Sequence, residues 1–154
     1  MAYSIVKWLH ILSSTMLFGT GLGSAFYMFF ASLTRDARAI AVVARYVVIA
    51  DWVFTTPTII LQPVTGFYLL HLLGLPLTSR WIIGSIMLYL LAGACWLPVV
   101  WLQIQMRDMA RVASGAQTRL PARYWHFLHW WVALGIIAFL ALVIVFYLMV
   151  AKPG

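Results

Sequence analysis

Residues 124–151 read YWHFLHWWVALGIIAFLALVIVFYLMVA, 28 positions without one Asp, Glu, Lys or Arg. A helix rises 1.5 Å per residue, so a hydrocarbon core of ~30 Å takes roughly 20 residues, and this stretch has length to spare. Three further charge-free stretches share the property: 8–34 with 27 residues, 52–79 with 28 and 81–106 with 26. Allowing for interfacial turns, spans are expected at about 8–33, 47–74, 81–105 and 125–150, together making one transmembrane domain over 1–154. The fold class that follows is all-α, an integral membrane four-helix antiparallel bundle.

Composition agrees. The chain is 65% hydrophobic and 8% charged, with a mean hydropathy of +1.00, which a water-soluble domain of this size would not normally show. Lys7 before an apolar run resembles a signal peptide, but the run is too long and no small-x-small cleavage site follows it, so it reads as a helix. Cys95 is the sole cysteine, which excludes an intramolecular disulfide.

The net charge of +7 is placed unevenly. Arg35, Arg38 and Arg45 lie between spans one and two, and Arg107, Arg111, Arg119 and Arg123 between spans three and four. Lys7, Arg80 and Lys152 fall on the other side, seven against three. The positive-inside rule then puts both Arg-bearing loops in the cytoplasm and both termini outside. Nucleic acid is excluded as a partner, because these loops are too short for a continuous basic face, and attraction to anionic headgroups accounts for them. Trp8 and Trp81 mark the outer boundary; Trp52, Trp101 and Trp125 mark the inner one. Residues 35–50 are expected to extend helix two or to lie on the surface, and 107–123 to form a helix extension, a turn and a restart.

Helix one carries Gly19 and Gly23 at GxxxG spacing, with Gly21 between them. Small residues in lipid let helix backbones approach, so close packing is the preferred reading. Room for a flat cofactor is the other. In helix two, Asp51, Thr55, Thr58, Gln62 and Thr65 recur at alternating four and three residues, on one narrow stripe. Polar groups facing lipid are costly, so the stripe should face protein or water. Pro57 and Pro63 interrupt this helix and free backbone carbonyls. Threonines bonding back to the backbone are the preferred reading, with a polar cavity or proton path as the sharper alternative. Asp51 is expected to pair with Arg45 or with an arginine of the other loop.

The four histidines carry the remaining chemistry. His10 and His71 fall at the outer level, His126 and His129 at the inner one beside Arg123. Paired imidazoles at one depth can ligate haem iron axially, yet the helical phase turns His71 away from the stripe. His10 shares a face with Ser14, Leu17, Gly21 and Ser24 and is expected to point inward. A hydrogen-bonded core histidine is the plain reading of it. His126 and His129, one turn apart, read as an inner-edge cluster with Arg123. Met87 and Met149 are conceivable soft ligands near the outer level.

Leu9-His10-Ile11-Leu12, the run Pro57-Thr58-Ile59-Ile60-Leu61 followed by Gly66-Phe67-Tyr68-Leu69-Leu70, and the closing Leu148-Met149-Val150-Ala151-Lys152-Pro153 resemble the bacterial membrane family labelled domain of unknown function 2269. The resemblance covers essentially the whole chain. More distantly the pattern is similar to HemJ-type protoporphyrinogen oxidases and to the membrane domain of copper-resistance D proteins. The HemJ-type resemblance implies haem b with a first-helix histidine as ligand, a role that falls on His10; the helical phase puts Ser14 and Gly21 on its face, and a second ligand is left open among His71, Met87, Met149 and none. Those proteins carry His-x-Lys entering helix three, where this chain reads Trp81-Ile82-Ile83-Gly84-Ser85, so their porphyrinogen-oxidising activity is not carried over.

Three functions are therefore expected to compete, in a bacterial inner membrane. One is a b-type haem protein moving electrons from a quinol or porphyrin-like donor to a partner. The second is a cofactor-free accessory subunit, docking a partner or a second copy through Gly19 and Gly23. The third is a permease for a small solute or metal ion along the helix-two stripe. Enzymatic activity is left open by the residues, and no bound metal beyond haem iron is expected.

Overall fold

A computed structural model describes residues 1–154 and contains no strand. The elements are α1 (Ala2–Leu33), α2 (Ala37–Ala50), a π turn (Asp51–Thr55), α3 (Thr56–Leu73), α4 (Arg80–Ala116) and α5 (Ala122–Ala151). Since α2, the π turn and α3 form one continuous rod, Ala37–Leu73, the molecule has four helices long and apolar enough to cross a membrane. It is an all-α four-helix bundle. Each expected span lies inside a longer helix, except that Gly74 closes α3 instead of belonging to it. With 37 residues α4 rises about 55 Å, well past the ~30 Å of a hydrocarbon core.

The connections are short and chemically marked. After α1, Arg35 adopts φ 56° and Asp36 caps α2, its carboxylate accepting from the Arg38 N–H at 2.9 Å. Gly74, at φ 63°, ends α3 in the left-handed region that glycine enters without a Cβ penalty. Gln117 ends α4 at φ 54°, and Pro121 precedes α5. Residues 37–50 thus extend helix two, with 35–36 in the turn before it, and 107–123 form an extension, a turn and a restart.

The π turn has a local cause. Pro57 lacks an N–H and its ring crowds the carbonyl four residues back. The widened turn ends at Thr55, and Thr56, directly before that proline, reaches the Asp51 carbonyl with both its N–H and its hydroxyl.

α4 and α5 pair along most of their length, α2 lies on α4, and α1 lies on α2 and α3. The core at the arginine-bearing end gathers Met28, Ile40, Ala44, Met106, Ala110 and Tyr124. There Ser32 Oγ and Tyr124 Oη stand 2.6 Å apart, tying α1 to the start of α5. At the opposite end the closing residues dock on α4: Leu148 Cδ1 reaches within 3.3 Å of where a Cβ on Gly84 would sit, and Lys152 lies over the Trp81 ring. Large apolar side chains such as Leu90, Leu97 and Tyr147 cover the outside, an arrangement suited to lipid and not to water.

One packing expectation is corrected. A Cβ placed on Gly19 or Gly23 would meet nothing within 4 Å, so these glycines close no helix contact inside the chain. The backbone approach occurs instead at Gly66 on α3, against a side chain of α1.

Candidate functional site

The polar stripe of helix two is buried throughout: Asp51, Thr55, Thr58, Gln62 and Thr65 are each at most 7% exposed. It faces protein, and its lower and upper halves serve two different neighbours.

The upper half meets α1. His10 Nδ1 lies 2.7 Å from Thr65 Oγ1, and the imidazole rests on Gly66, where a Cβ would come within 3.3 Å of Cε1. The Thr65 hydroxyl donates its one proton to the Leu61 carbonyl at 2.7 Å. With the hydroxyl proton on that carbonyl, Thr65 can accept from His10, the tautomer that carries the imidazole proton on Nδ1 and the lone pair on Nε2. Below the ring, the Gln62 amide donates to the His10 carbonyl at 2.8 Å and to the Ser13 hydroxyl. Ser13 in turn donates to the same carbonyl at 3.1 Å. The seam is His10, Ser13, Gln62 and Thr65. Ser14, expected beside His10, instead bonds back to the Ile11 carbonyl at 2.7 Å.

The lower half meets α4 and α5. Asp51 accepts from Thr55 Oγ1 at 3.0 Å and from the Gln103 amide, while Gln103 Oε1 accepts from Trp131 Nε1 at 2.9 Å. Asp51 does not pair with Arg45 or another arginine, because its side chain turns into the bundle while Arg45 stays exposed. The chain's one ion pair joins Arg107 to its neighbour Asp108 at 2.9 Å. Pro63 frees the Ile59 carbonyl by lacking an N–H, and Tyr89 of α4 supplies the missing donor at 2.6 Å. Above this floor a cavity of about 510 Å³ opens among α1, α3, α4 and α5, with Gly21 on its wall and Asp51, Thr55, Tyr89, Gln103 and Trp131 among its lining.

The other expected residues stay apart from both places. His71 is exposed near the end of α3. His126 is exposed, and His129 Nδ1 donates to the Trp125 carbonyl at 2.6 Å within its own helix. Arg123 stacks its guanidinium 4.8 Å from the Phe127 ring centroid. No group of three His, Cys, Asp or Glu converges to hold a metal ion. Ser13, Tyr89, Gln103 and Trp131 escaped the sequence reading. Gln103 alone carried a signal, being an amide within a charge-free span, as Gln62 is.

Taken together, the apolar exterior and these two buried polar seams define an integral membrane protein of the four-helix class. The chain belongs to the family described as predicted integral membrane protein (DUF2269), whose profile matches residues 4–153. No curated protein and no solved structure matches it.

Proposed function

We propose that this protein holds haem b in a bacterial inner membrane, with His10 as the axial ligand, and passes electrons from a lipid-soluble donor such as a quinol to a partner. The supporting observation is the way His10 is held, against Thr65 and Gly66. An imidazole that donates through Nδ1 to an outer partner presents Nε2 as a neutral metal ligand, and such a partner orients the ring and raises its basicity. Thr65 provides that partner at 2.7 Å, and Nε2 has none within the chain. Haem iron bound there would supply one-electron chemistry. The chain itself would hold the ring through Thr65 and Gly66, and hold α1 and α3 together through Ser13 and Gln62. His71, Met87 and Met149 remain the candidates for a second ligand, with single ligation by His10 as the simplest arrangement. Both termini outside is the orientation that the arginine asymmetry favours.

The absorbance spectrum of protein expressed with added haem tests this reading. A Soret band that sharpens and shifts on reduction is expected. A colourless protein would bring forward the second reading, a cofactor-free accessory subunit. That reading is favoured by the open surface at Gly19 and Gly23, where a second helix backbone has room to approach.

A further inference from the structure

We infer that the cavity between α1 and α5 is a binding site for a lipophilic organic cation, with Asp51 as its counter-ion. Its volume of about 510 Å³ falls within the ~300–1,000 Å³ usual for small-molecule sites. Asp51 is the one carboxylate in its lining, and no Lys, Arg or His lines it. The two groups that Asp51 bonds, Thr55 and Gln103, are neutral, and the chain's single ion pair lies elsewhere. An ionised carboxylate away from water is costly without a cation, so a bound cation is the partner that would let Asp51 carry its charge here.

The walls select the kind of cation. Phe18, Phe29, Tyr89, Trp96, Trp131 and Phe139 surround the space, and aromatic faces attract cations that have shed their water. A small hydrated ion would find too few oxygen ligands among them. Fatty acids and phosphate headgroups would meet an acid with no base beside it. An uncharged quinone would fill the volume but leave Asp51 uncompensated. Access is lateral, since α1 and α5 touch at few places, and lipophilic cations concentrate in the bilayer that this opening faces. His10 does not line the chamber, so the inference is independent of haem.

The experiment measures binding of tetraphenylphosphonium to the full chain in lipid nanodiscs, with empty nanodiscs subtracted. Saturable one-site binding is expected, weakened at least tenfold in Asp51→Asn, which keeps the side chain's shape and removes its charge. Gly135→Leu is the second variant. Gly135 lines the chamber and a Cβ there meets nothing, so leucine at this position takes up chamber space and should abolish binding. Decylubiquinone, an uncharged comparator, should bind more weakly and be insensitive to Asp51→Asn. Unsaturable binding, equal affinity in Asp51→Asn and parent, or retention in Gly135→Leu would overturn the inference. Decylubiquinone binding as tightly as the cation and excluded by Gly135→Leu would also overturn it, by making the site one for neutral lipophiles. If Asp51→Asn does not fold, Gly135→Leu and the uncharged comparator decide.

Discussion

The imidazole of His10 occupies the space that a side chain on Gly66 would take: a Cβ there would lie 3.3 Å from Cε1, while Nδ1 is held 2.7 Å from Thr65 Oγ1. Glycine on α3 and histidine on α1 are thus one packing unit, and the ring cannot retreat without stretching its bond to Thr65.

Gly66→Val should therefore destabilise the protein by about 1–3 kcal/mol, the usual cost of overpacking a fixed contact. Gly19→Ala and Gly23→Ala should melt like the parent, because a Cβ at either position meets nothing. Thermal melts in mild detergent distinguish the two outcomes. Equal losses at all three positions would place the close approach at the wrong glycine.

Tyr89→Phe removes the donor that satisfies the carbonyl orphaned by Pro63. An unpaired carbonyl shielded from water costs about 1–3 kcal/mol, so a lower melting temperature is expected. Combining Tyr89→Phe with Pro63→Ala should recover much of the loss, since alanine restores the helical N–H. A double variant as unstable as the two losses summed would refute the pairing.

Gln103 joins a carboxylate on one helix to an indole on another. Gln103→Leu leaves two groups without this partner, at about 1–3 kcal/mol each, whereas Trp131→Phe orphans one amide oxygen. Gln103→Leu should accordingly be the less stable of the two by denaturant titration in detergent. The reverse order would mean that packing of the indole outweighs its hydrogen bond.

How much of this was legible follows from what each feature depends on. The four helices were readable because a bilayer tolerates so few charges that 26 to 28 residues without one admit little else. The stripe from Asp51 to Thr65 was readable because its spacing is local. Its partners were not, since nothing in α4 or α5 marks Gln103 or Trp131 as the residues that will face it. An arginine partner for Asp51 is suggested by its place at the arginine-bearing end of the span, but the rod continues through the π turn and turns the carboxylate inward. Ser13 and Ser14 are adjacent, and an ideal helical face could not say which of them the Gln62 amide would reach. The glycines misled for a related reason: GxxxG records room for an approaching backbone, and inside this chain none arrives.

The orientation rests on seven basic residues against three. Reporter fusions after Gly154 should be active outside the cytoplasm, and fusions at Ser114 or Gly115 should report inside. The opposite result at both positions would invert the levels assigned to His10 and to the inner histidines.

The role of His10 is tested most directly by the reduced-minus-oxidised optical spectrum, taken per mole of folded protein with haem supplied during expression. Thr65→Val offers a graded companion, since it keeps the ligand and removes its orienting partner. Expected are a haem signature in the parent, its loss or a high-spin shift in His10→Ala, and little change in His71→Ala, His126→Ala and His129→Ala. A His10→Ala protein that keeps the parent's spectrum, while His126→Ala or His129→Ala loses it, would contradict the account and move the site to the opposite face of the membrane.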